Sequence, residues 1–232
     1  MGDAPLVSCL CVTEDRQPFV PWLLWNYDKQ DHPRRELVIV DSSREPLRAP
    51  ARGDVTVVPC APGTTVARKR NLAVEASRGT TITWFDDDDW QHPRRLSILV
   101  EALGDKAVLA GPVDGWFVDL EGGGARRHSA YRPIFNGVAV RREALDGVRF
   151  DERRLRASDT AWMAALRSRR SCVPVVVPEV LCFWLCHRRN ISNPARRYSF
   201  PQPLAAVRDA VGAAAWQDTG DQLARLRRRL LR

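Results

Sequence analysis

Short apolar segments alternate with helical segments over the first hundred residues of the chain. The predicted strands lie at 6–12, 36–40, 55–58 and 80–85, and the predicted helices at 19–29, 64–77 and 93–103. Strands that alternate with helices in this way indicate βαβ units and a parallel sheet. Further along, shorter segments predict strands at 107–110, 113–119, 137–141, 173–177 and 180–186, and helices at 159–169, 203–216 and 218–232. We therefore expect an α/β fold with a mostly parallel central sheet, flanked by helices, and a mixed C-terminal half.

Four consecutive aspartates, Asp86 to Asp89, directly follow the fourth predicted strand. Open α/β sheets bind their ligands at the carboxyl ends of their strands. Alternate residues of an extended segment point the same way, so Asp86 and Asp88 are expected to face one Mg²⁺ or Mn²⁺ ion or one nucleotide. The alternative is a solvated acidic loop whose last aspartate caps the next helix.

Polar residues elsewhere in the predicted nucleotide-binding half are further candidates. Asp41 follows the second strand, where a carboxylate accepts hydrogen bonds from a ribose or a base; a simple Asx turn is the alternative. Arg68 and Asn71 are one helical turn apart and are expected to share a face, with Lys69 and Arg70 beside them. Basic groups there suit a diphosphate, and a solvated helix face is the alternative.

Three further positions carry expectations about both structure and chemistry. Ser158 and Asp159 open a predicted helix, where Ser158 is expected to be the N-cap and Asp159 favours the positive helix end. A general base fixed on a rigid element is the other interpretation of Asp159. His187 follows a strand and is a candidate ligand of a metal or a phosphate. Gly79 is expected to end the second helix in a left-handed conformation.

Composition and missing motifs limit the classes of function. The formal net charge is +8, which fits an anionic ligand, a nucleic acid or an acidic partner. The chain lacks the glycine-rich, P-loop and GxSxG motifs, which argues against dinucleotide dehydrogenases, P-loop NTPases and α/β-hydrolases. No apolar run approaches the ~18 residues of a membrane span. Without a recognisable signal peptide, and with six cysteines but no CxxC pair, we expect a cytoplasmic protein with free thiols.

Taken in order, five segments resemble motifs of glycosyltransferase family 2, the large inverting group with the GT-A fold. They are the first strand through Thr13 and Arg16, the second strand with Asp41, the Arg70-Asn71 to Gly79 segment, the Trp84–Asp89 run, and the Phe150-Asp151-Glu152 and Ser158-Asp159 segment. A later stretch that begins at His187 resembles a histidine-containing motif near the diphosphate. The resemblance covers about residues 5–194, with Ser158 where the family usually has Glu.

The resemblance implies roles for individual residues. The nucleotide-sugar contacts are Thr13, Glu14, Asp41, Arg68, Arg70, Asn71, Asp86 and Asp87, and the metal ligands are Asp88, Asp86 and His187. Asp159 corresponds to the family's catalytic base. The implied function is inverting transfer of a sugar, dependent on Mn²⁺ or Mg²⁺, from a nucleotide-sugar donor, UDP-hexose or UDP-N-acetylhexosamine. The acceptor is expected to be soluble: a small molecule, a saccharide or a carrier-bound group. We expect no nucleic-acid partner.

The expected organisation is a transferase domain at 1–194 and a helical extension at 195–232. Within the domain, 1–90 forms the nucleotide-binding half and 91–194 the acceptor half. The basic amphipathic helix at 223–232 has an acidic carrier, anionic lipid or a second subunit of a homodimer as candidate partners, with a solvated terminal helix as the alternative. Two rival functions stay open: a sugar nucleotidyltransferase, and a basic nucleic-acid-binding protein.

Overall fold

The first half of the chain contains the predicted alternation of strands and helices. A computed structural model describes residues 3–154, 157–169, 174–188, 190 and 198–230 of the 232-residue chain. The first elements are β1 (Val7–Thr13), α1 (Val20–Asp28), β2 (Arg35–Asp41), β3 (Val55–Pro59), α2 (Val66–Ala76), β4 (Thr81–Trp84) and α3 (Arg95–Leu103). Each lies within a few residues of its predicted range, because apolar periodicity reflects the local backbone conformation.

The second half is built from shorter strands and the C-terminal helices. The strands are β5 (Trp90–Gln91), β6 (Leu109–Pro112), β7 (Asp114–Asp119), β8 (Gly124–Ser129), β9 (Ala139–Arg141), β10 (Pro174–Val177), β11 (Cys182–Cys186) and β12 (Gln202–Pro203). The helices are α4 (Ser158–Arg167), α5 (Leu204–Val211), α6 (Ala213–Trp216) and α7 (Thr219–Leu230). Short 3₁₀ helices span Gln17–Phe19, Phe135–Gly137 and Arg142–Leu145.

A seven-stranded sheet forms the centre of the molecule, in the order β10-β6-β9-β4-β1-β2-β3. β1 pairs in parallel with β2 and β4, β2 with β3, and β6 with β10. Only β9 runs against its neighbours in this sheet. The predicted α/β fold with a mostly parallel central sheet is confirmed. Because β1, β2 and β4 are parallel neighbours, the residues that follow them meet at one edge.

A second sheet holds the remaining strands, in the order β12-β8-β7-β11-β5. β7 and β11 are parallel, and the other pairs are antiparallel. The four aspartates lie between β4 in the first sheet and β5 in the second. This connection holds them at the junction of the two sheets.

An aromatic cluster packs beside β4 and fixes the position of α4. The rings of Phe150 and Trp162 stack with centroids 4.9 Å apart, and Trp84 lies edge-on to both at 5.3 and 6.0 Å. The ring of Phe135 stacks on Trp84 at 5.4 Å. Aromatic side chains bury large apolar areas, so this cluster couples the start of α4 to the end of β4.

Two capping predictions are wrong. α2 ends at Ala76, and Ser77 after it is extended, with φ −86° and ψ 153°, while Gly79 is not left-handed. A Cβ at Gly79 would lie 2.5 Å from Ser8 Oγ and 2.6 Å from the Leu6 carbonyl oxygen, so glycine is needed for a close approach to β1. The N-cap of α4 is Ala157, in left-handed conformation with φ 55°, and Ser158 is already helical.

The C-terminal helices differ from their predicted form in two respects. The helix predicted at 203–216 is divided into α5 and α6 at Gly212, whose φ is 86°. α7 is not simply a solvated helix: Leu223 and Leu226 are 5% and 1% exposed and pack in a cluster with Phe19 and Trp22. Among the described residues, no helix combines the length and apolarity needed to cross a membrane.

Candidate active site

The candidate site lies where β1, β2 and β4 end. Thr13 closes β1 and is in register with Asp41, which closes β2. The acidic run follows β4 after Phe85. Asp87, Asp88 and Asp89 are 5%, 9% and 4% exposed, so the solvated-loop interpretation is wrong. Burying a carboxylate costs free energy unless it has a polar or charged partner, and each of these three has one.

The acidic run forms a turn rather than an extended segment, so its side chains do not alternate as expected. Asn136 Nδ2 donates to Asp86 Oδ2 at 2.6 Å and to Asp89 Oδ2 at 3.3 Å. Arg16 instead joins Asp87 and Asp88. The turn therefore pairs Asp86 with Asp89 and Asp87 with Asp88.

Asp87 is tied to the end of β1. Thr13 Oγ1 donates to Asp87 Oδ2 at 2.6 Å, and Arg16 Nε lies 3.0 Å from the same oxygen. Burial raises the pKa of Asp87 to about 7, against the opposing effect of Arg16. Thr13, predicted to contact the nucleotide, thus positions the acidic run in this structure.

Asp88 contacts more polar side chains than the other carboxylates of the run do. Its Oδ2 accepts from Arg16 Nη2, from Asn190 Nδ2 at 3.1 Å, and lies 3.1 Å from His187 Nε2. Burial acts to raise the pKa of Asp88, but Arg16 and His187 outweigh it and lower the pKa to about 2. The structure therefore brings together the predicted metal ligands Asp88 and His187.

Asp86 and Asp89 share the Asn136 side-chain amide as a hydrogen-bond donor. Burial raises the pKa of both carboxyls, and the neighbouring Asp88 acts in the same direction. The buried Arg95 guanidinium donates to the carbonyl oxygens of Trp84 and Asn136, at 2.8 and 2.9 Å. Arg95 thereby holds Asn136 against the acidic run.

The donor set at Asp88 fits a divalent ion. Carboxylate oxygen is the ligand that Mg²⁺ and Mn²⁺ prefer, and imidazole nitrogen is a common ligand of transition metals. Asp88 Oδ2 and His187 Nε2 are close enough to share one ion, with Asp86 in the same turn. Among the described residues, no group of three or more His, Cys, Asp or Glu side chains is placed so that it could hold a metal ion, so Asp86 does not complete a three-ligand site with this pair. The pair would therefore be completed by a ligand such as a diphosphate.

α2 places its polar residues in three different surroundings. Arg68 Nη1 and Asn71 Nδ2 both donate to Glu152 Oε1, at 3.3 and 2.8 Å, so these residues share a face as predicted. Asn71 also exchanges hydrogen bonds with the backbone of Phe150, through its Oδ1 at 2.9 Å and its Nδ2 at 3.0 Å. In this structure Asn71 therefore joins α2 to the segment before α4.

Arg70 is buried against the aromatic cluster. Its guanidinium carbon lies 4.5 Å from the centroid of Phe135 and 5.4 Å from that of Phe150. Its Nη1 donates to Ser158 Oγ at 3.4 Å, which explains why the Ser158 side chain is not a helix cap. Burial lowers the pKa of Arg70, and the charge of Asp86 and Asp159 opposes that effect. Arg70 is thus a buried cation that interacts electrostatically with both Asp86 and Asp159.

Lys69 and Glu14 connect α2 to the ends of β1 and β2. Lys69 Nζ donates to the Thr13 carbonyl at 3.1 Å, to Glu14 Oε2 at 3.1 Å and to Ser42 Oγ at 2.8 Å. Asp41, the residue before Ser42, accepts hydrogen bonds from the backbone N–H groups of Ser43 and Leu47, both at 2.9 Å. Asp41 therefore makes the Asx-type turn that was the alternative for this residue, at the edge where the nucleoside is expected.

Asp159 lies in the first turn of α4 and is half-buried. Its Oδ1 accepts from the backbone N–H of Thr160 at 2.8 Å. Its other carboxylate oxygen has no hydrogen-bond donor among the residues that the structure describes. A half-exposed carboxylate on a rigid element is suited to accept a proton.

Sequence reasoning missed several residues of the site. Arg16, three residues after the end of β1, was noted in the first of the resembling segments, but no role in the site was predicted for it. Asn136 is 47 residues or more from the carboxylates it contacts, and nothing local in the sequence pairs them. Asn190 lies in the stretch noted for His187, but only the fold brings it to Asp88. Residues 189, 191 and 192 of that stretch lie outside the described residues.

A family comparison decides the class of the protein. The profile described as Glycosyl transferase family 2 matches residues 11–161, more than half of the chain. The chain belongs to glycosyl transferase family 2. The matched range begins in β1 and ends in α4, so this family 2 transferase carries Thr13, Asp41, the acidic run and Asp159 inside it. A comparison with curated protein sequences finds no match.

Solved structures of similar fold include S. aureus TarS and a mannosyltransferase. S. aureus TarS 1–349 in complex with UDP is 17% identical, with a TM-score of 0.63, over 78% of this chain and 60% of that one. The UDP-GlcNAc complex of the same protein is 16% identical, with a TM-score of 0.63, over 84% and 62%. The mannosyltransferase PcManGT from Pyrobaculum calidifontis, in complex with GDP-Man and Mn²⁺, is 17% identical, with a TM-score of 0.60, over 99% and 75%.

These likenesses establish the fold, which is GT-A as the sequence predicted. The family 2 transferase spans about 60% of the length of the TarS 1–349 structures.

Proposed function

We propose that this chain is an inverting, divalent-metal-dependent glycosyltransferase. It moves a sugar from a nucleotide-sugar donor, UDP-hexose or UDP-N-acetylhexosamine, to a soluble acceptor. The observation that carries the proposal is the pairing of Asp88 with His187 at the end of β4, beside a carboxyl, Asp87, held by Thr13. The charge of Asp159 acts on the buried Arg70, as does the charge of Asp86 in the acidic run. The arrangement provides a cation site and a separate base.

The donor side of the reaction uses the edge formed by β1, β2 and α2. Thr13, Glu14 and Asp41 would contact the nucleoside, with Lys69 holding the two strand ends together. Arg70 contributes positive charge toward the diphosphate. A divalent ion held by Asp88 and His187 would offset the charge that develops on the departing nucleoside diphosphate. The TarS complexes with UDP and UDP-GlcNAc, and the PcManGT complex with GDP-Man and Mn²⁺, support a donor and an ion of these classes.

The acceptor side depends on Asp159. Its free carboxylate oxygen takes the proton from the acceptor hydroxyl or amine while that atom attacks the anomeric carbon. The attack comes from the face opposite the nucleoside diphosphate, whose bond to the sugar breaks, so the anomeric configuration inverts. The ring cluster around Trp84 and Trp162 fixes α4, and with it the carboxylate. Cytoplasmic location, a homodimer and the domain limits at 1–90, 91–194 and 195–232 stay predictions.

The variant Asp159→Asn tests this assignment. We expect it to bind UDP-GlcNAc or UDP-glucose like the unmodified enzyme but to lose turnover by about 10²–10⁴-fold, the usual contribution of a general base. Isothermal titration gives donor binding, and UDP release with a panel of saccharide acceptors, including water alone, gives turnover. Thr160→Val, an exposed change in the same helical turn, is the matched control. Full turnover in Asp159→Asn would refute the role of the base.

A further inference from the structure

A guanidinium group occupies the position between the two carboxylates at the centre of the site. Arg16 Nε lies 3.0 Å from Asp87 Oδ2, and Arg16 Nη2 contacts Asp88 Oδ2. The Arg16 side chain is 13% exposed. Its guanidinium carbon lies 4.3 Å from the centroid of Phe19, and the Phe19 ring lies against His187 at 4.9 Å. Arg16 is therefore held among the residues expected to bind the metal.

Arg16 and a divalent ion would use the same oxygen atom. Asp88 Oδ2 is the carboxylate oxygen nearest His187 Nε2, and it is also the one that Arg16 Nη2 contacts. Two like charges at one oxygen in a partly desolvated site repel each other strongly. A cation that binds Asp88 and His187 must therefore weaken or break the Arg16 contact.

The same contact offsets part of the negative charge of the acidic run. Four adjacent carboxyls at the junction of two sheets would otherwise repel one another. Among the described residues, Arg16 is the one arginine or lysine in an ion pair with this run, and His187 Nε2 also lies 3.1 Å from Asp88 Oδ2. Its pKa is raised by Asp88 and Asp87 although burial opposes that shift, which agrees with a strongly held ion pair.

We propose that Arg16 is an internal counter-ion that competes with the divalent cation for Asp88. The inference rests on the proposed function, because it assumes that Asp88 binds metal. Arg16 is a positioning residue: it orients Asp87 and Asp88 before the ion arrives, and it makes binding of the ion alone weak. Once displaced, its guanidinium needs a new anionic partner, and the donor diphosphate is of that class. Cation and diphosphate therefore favour each other's binding.

The test is the affinity for Mn²⁺ alone, without nucleotide, measured by isothermal titration and by the free Mn²⁺ signal in electron paramagnetic resonance. Arg16→Met removes the competitor and is expected to bind Mn²⁺ at least about tenfold more tightly than the unmodified protein. Arg16→Lys keeps a competing charge and is expected to stay close to it. Arg188→Met removes an exposed charge next to His187 without touching Asp88, and is expected to change little.

Weaker or unchanged Mn²⁺ binding in a folded Arg16→Met variant would overturn the proposal, because a purely structural arginine loosens the site when it is removed. If Arg16→Met does not fold by circular dichroism, Arg16→Gln takes its place, since it keeps a hydrogen-bond donor without the charge. Equal tightening in Arg188→Met would also contradict the proposal, because it would indicate a general field effect. Failure of every protein to bind Mn²⁺, even with UDP, would instead refute the proposed metal site.

Discussion

At the scale of single residues, the four aspartates show how one residue type takes different roles. Asp86 and Asp89 accept hydrogen bonds from Asn136, whereas Asp87 and Asp88 form ion pairs with Arg16. The pKa shifts of Asp87 and Asp88, to about 7 and about 2, have different causes: burial raises the pKa of Asp87, whereas Arg16 and His187 outweigh burial at Asp88. Separation of this kind between neighbouring carboxyls is typical of functional sites.

Glu36 is a buried carboxylate outside the acidic run, and its contacts serve stability rather than chemistry. It accepts from Ser8 Oγ at 2.7 Å, from the backbone N–H of Arg78 at 2.5 Å and from Arg78 Nε at 2.9 Å. Burial acts to raise the pKa of Glu36, but these hydrogen bonds outweigh it and lower the pKa. A lowered pKa in the folded state means that the ionised form stabilises the fold, and that this contribution is lost as the pH falls through the folded-state value.

Glu36→Gln is therefore expected to destabilise the protein in a pH-dependent way. At pH 7 the loss should be about 1–3 kcal/mol, the usual range for hydrogen bonds to a charged group. The difference from the unmodified protein should shrink as the pH falls below the unfolded-state pKa of about 4.3 and then through the lower folded-state value, below which the carboxyl is protonated in both states. Urea unfolding at several pH values measures it, with Glu45→Gln on the exposed surface as control. An equal difference at pH 7 and pH 3 would contradict the explanation.

At the scale of elements, local sequence patterns predicted most strands and helices, because apolar periodicity depends on the residues themselves. The helix ends were less predictable. Gly79 has the position of a helix-ending glycine, but what requires it is the approach of β1, a contact from more than 70 residues away. Likewise, Ser158 is a good N-cap by type, but its hydroxyl is used by Arg70.

Gly79→Ala is expected to destabilise the fold by at least about 1–3 kcal/mol, as overpacking usually does. The physical reason is that the new methyl group meets Ser8 Oγ and the Leu6 carbonyl, and backbone cannot move aside cheaply. Gly53→Ala is the matched control, because a Cβ there meets nothing within 4 Å. Urea denaturation midpoints compare the two variants. Comparable midpoints for both would show that the close approach is not a constraint.

At the scale of the whole molecule, the arrangement of the sheets could not be predicted from the sequence. β6, β9 and β10 come from the second half of the chain yet extend the sheet begun by the first half. Such pairings depend on long-range register, which short strands specify weakly. The edge formed by β1, β2 and β4 could be predicted, because alternating strands and helices imply parallel order. The position of the candidate site at this edge follows from that order, whereas Asn136 and Asn190, which come from other elements, could not be assigned to it from the sequence.

The central claim is that the acidic run binds a divalent ion together with the donor diphosphate. Isothermal titration of UDP, with Mn²⁺ and with EDTA, tests it in the unmodified protein and in Asp88→Asn. We expect Mn²⁺ to strengthen UDP binding in the unmodified protein and to have no effect in Asp88→Asn, which should remain folded. UDP affinity that is the same with Mn²⁺ and with EDTA in the unmodified protein would contradict the account.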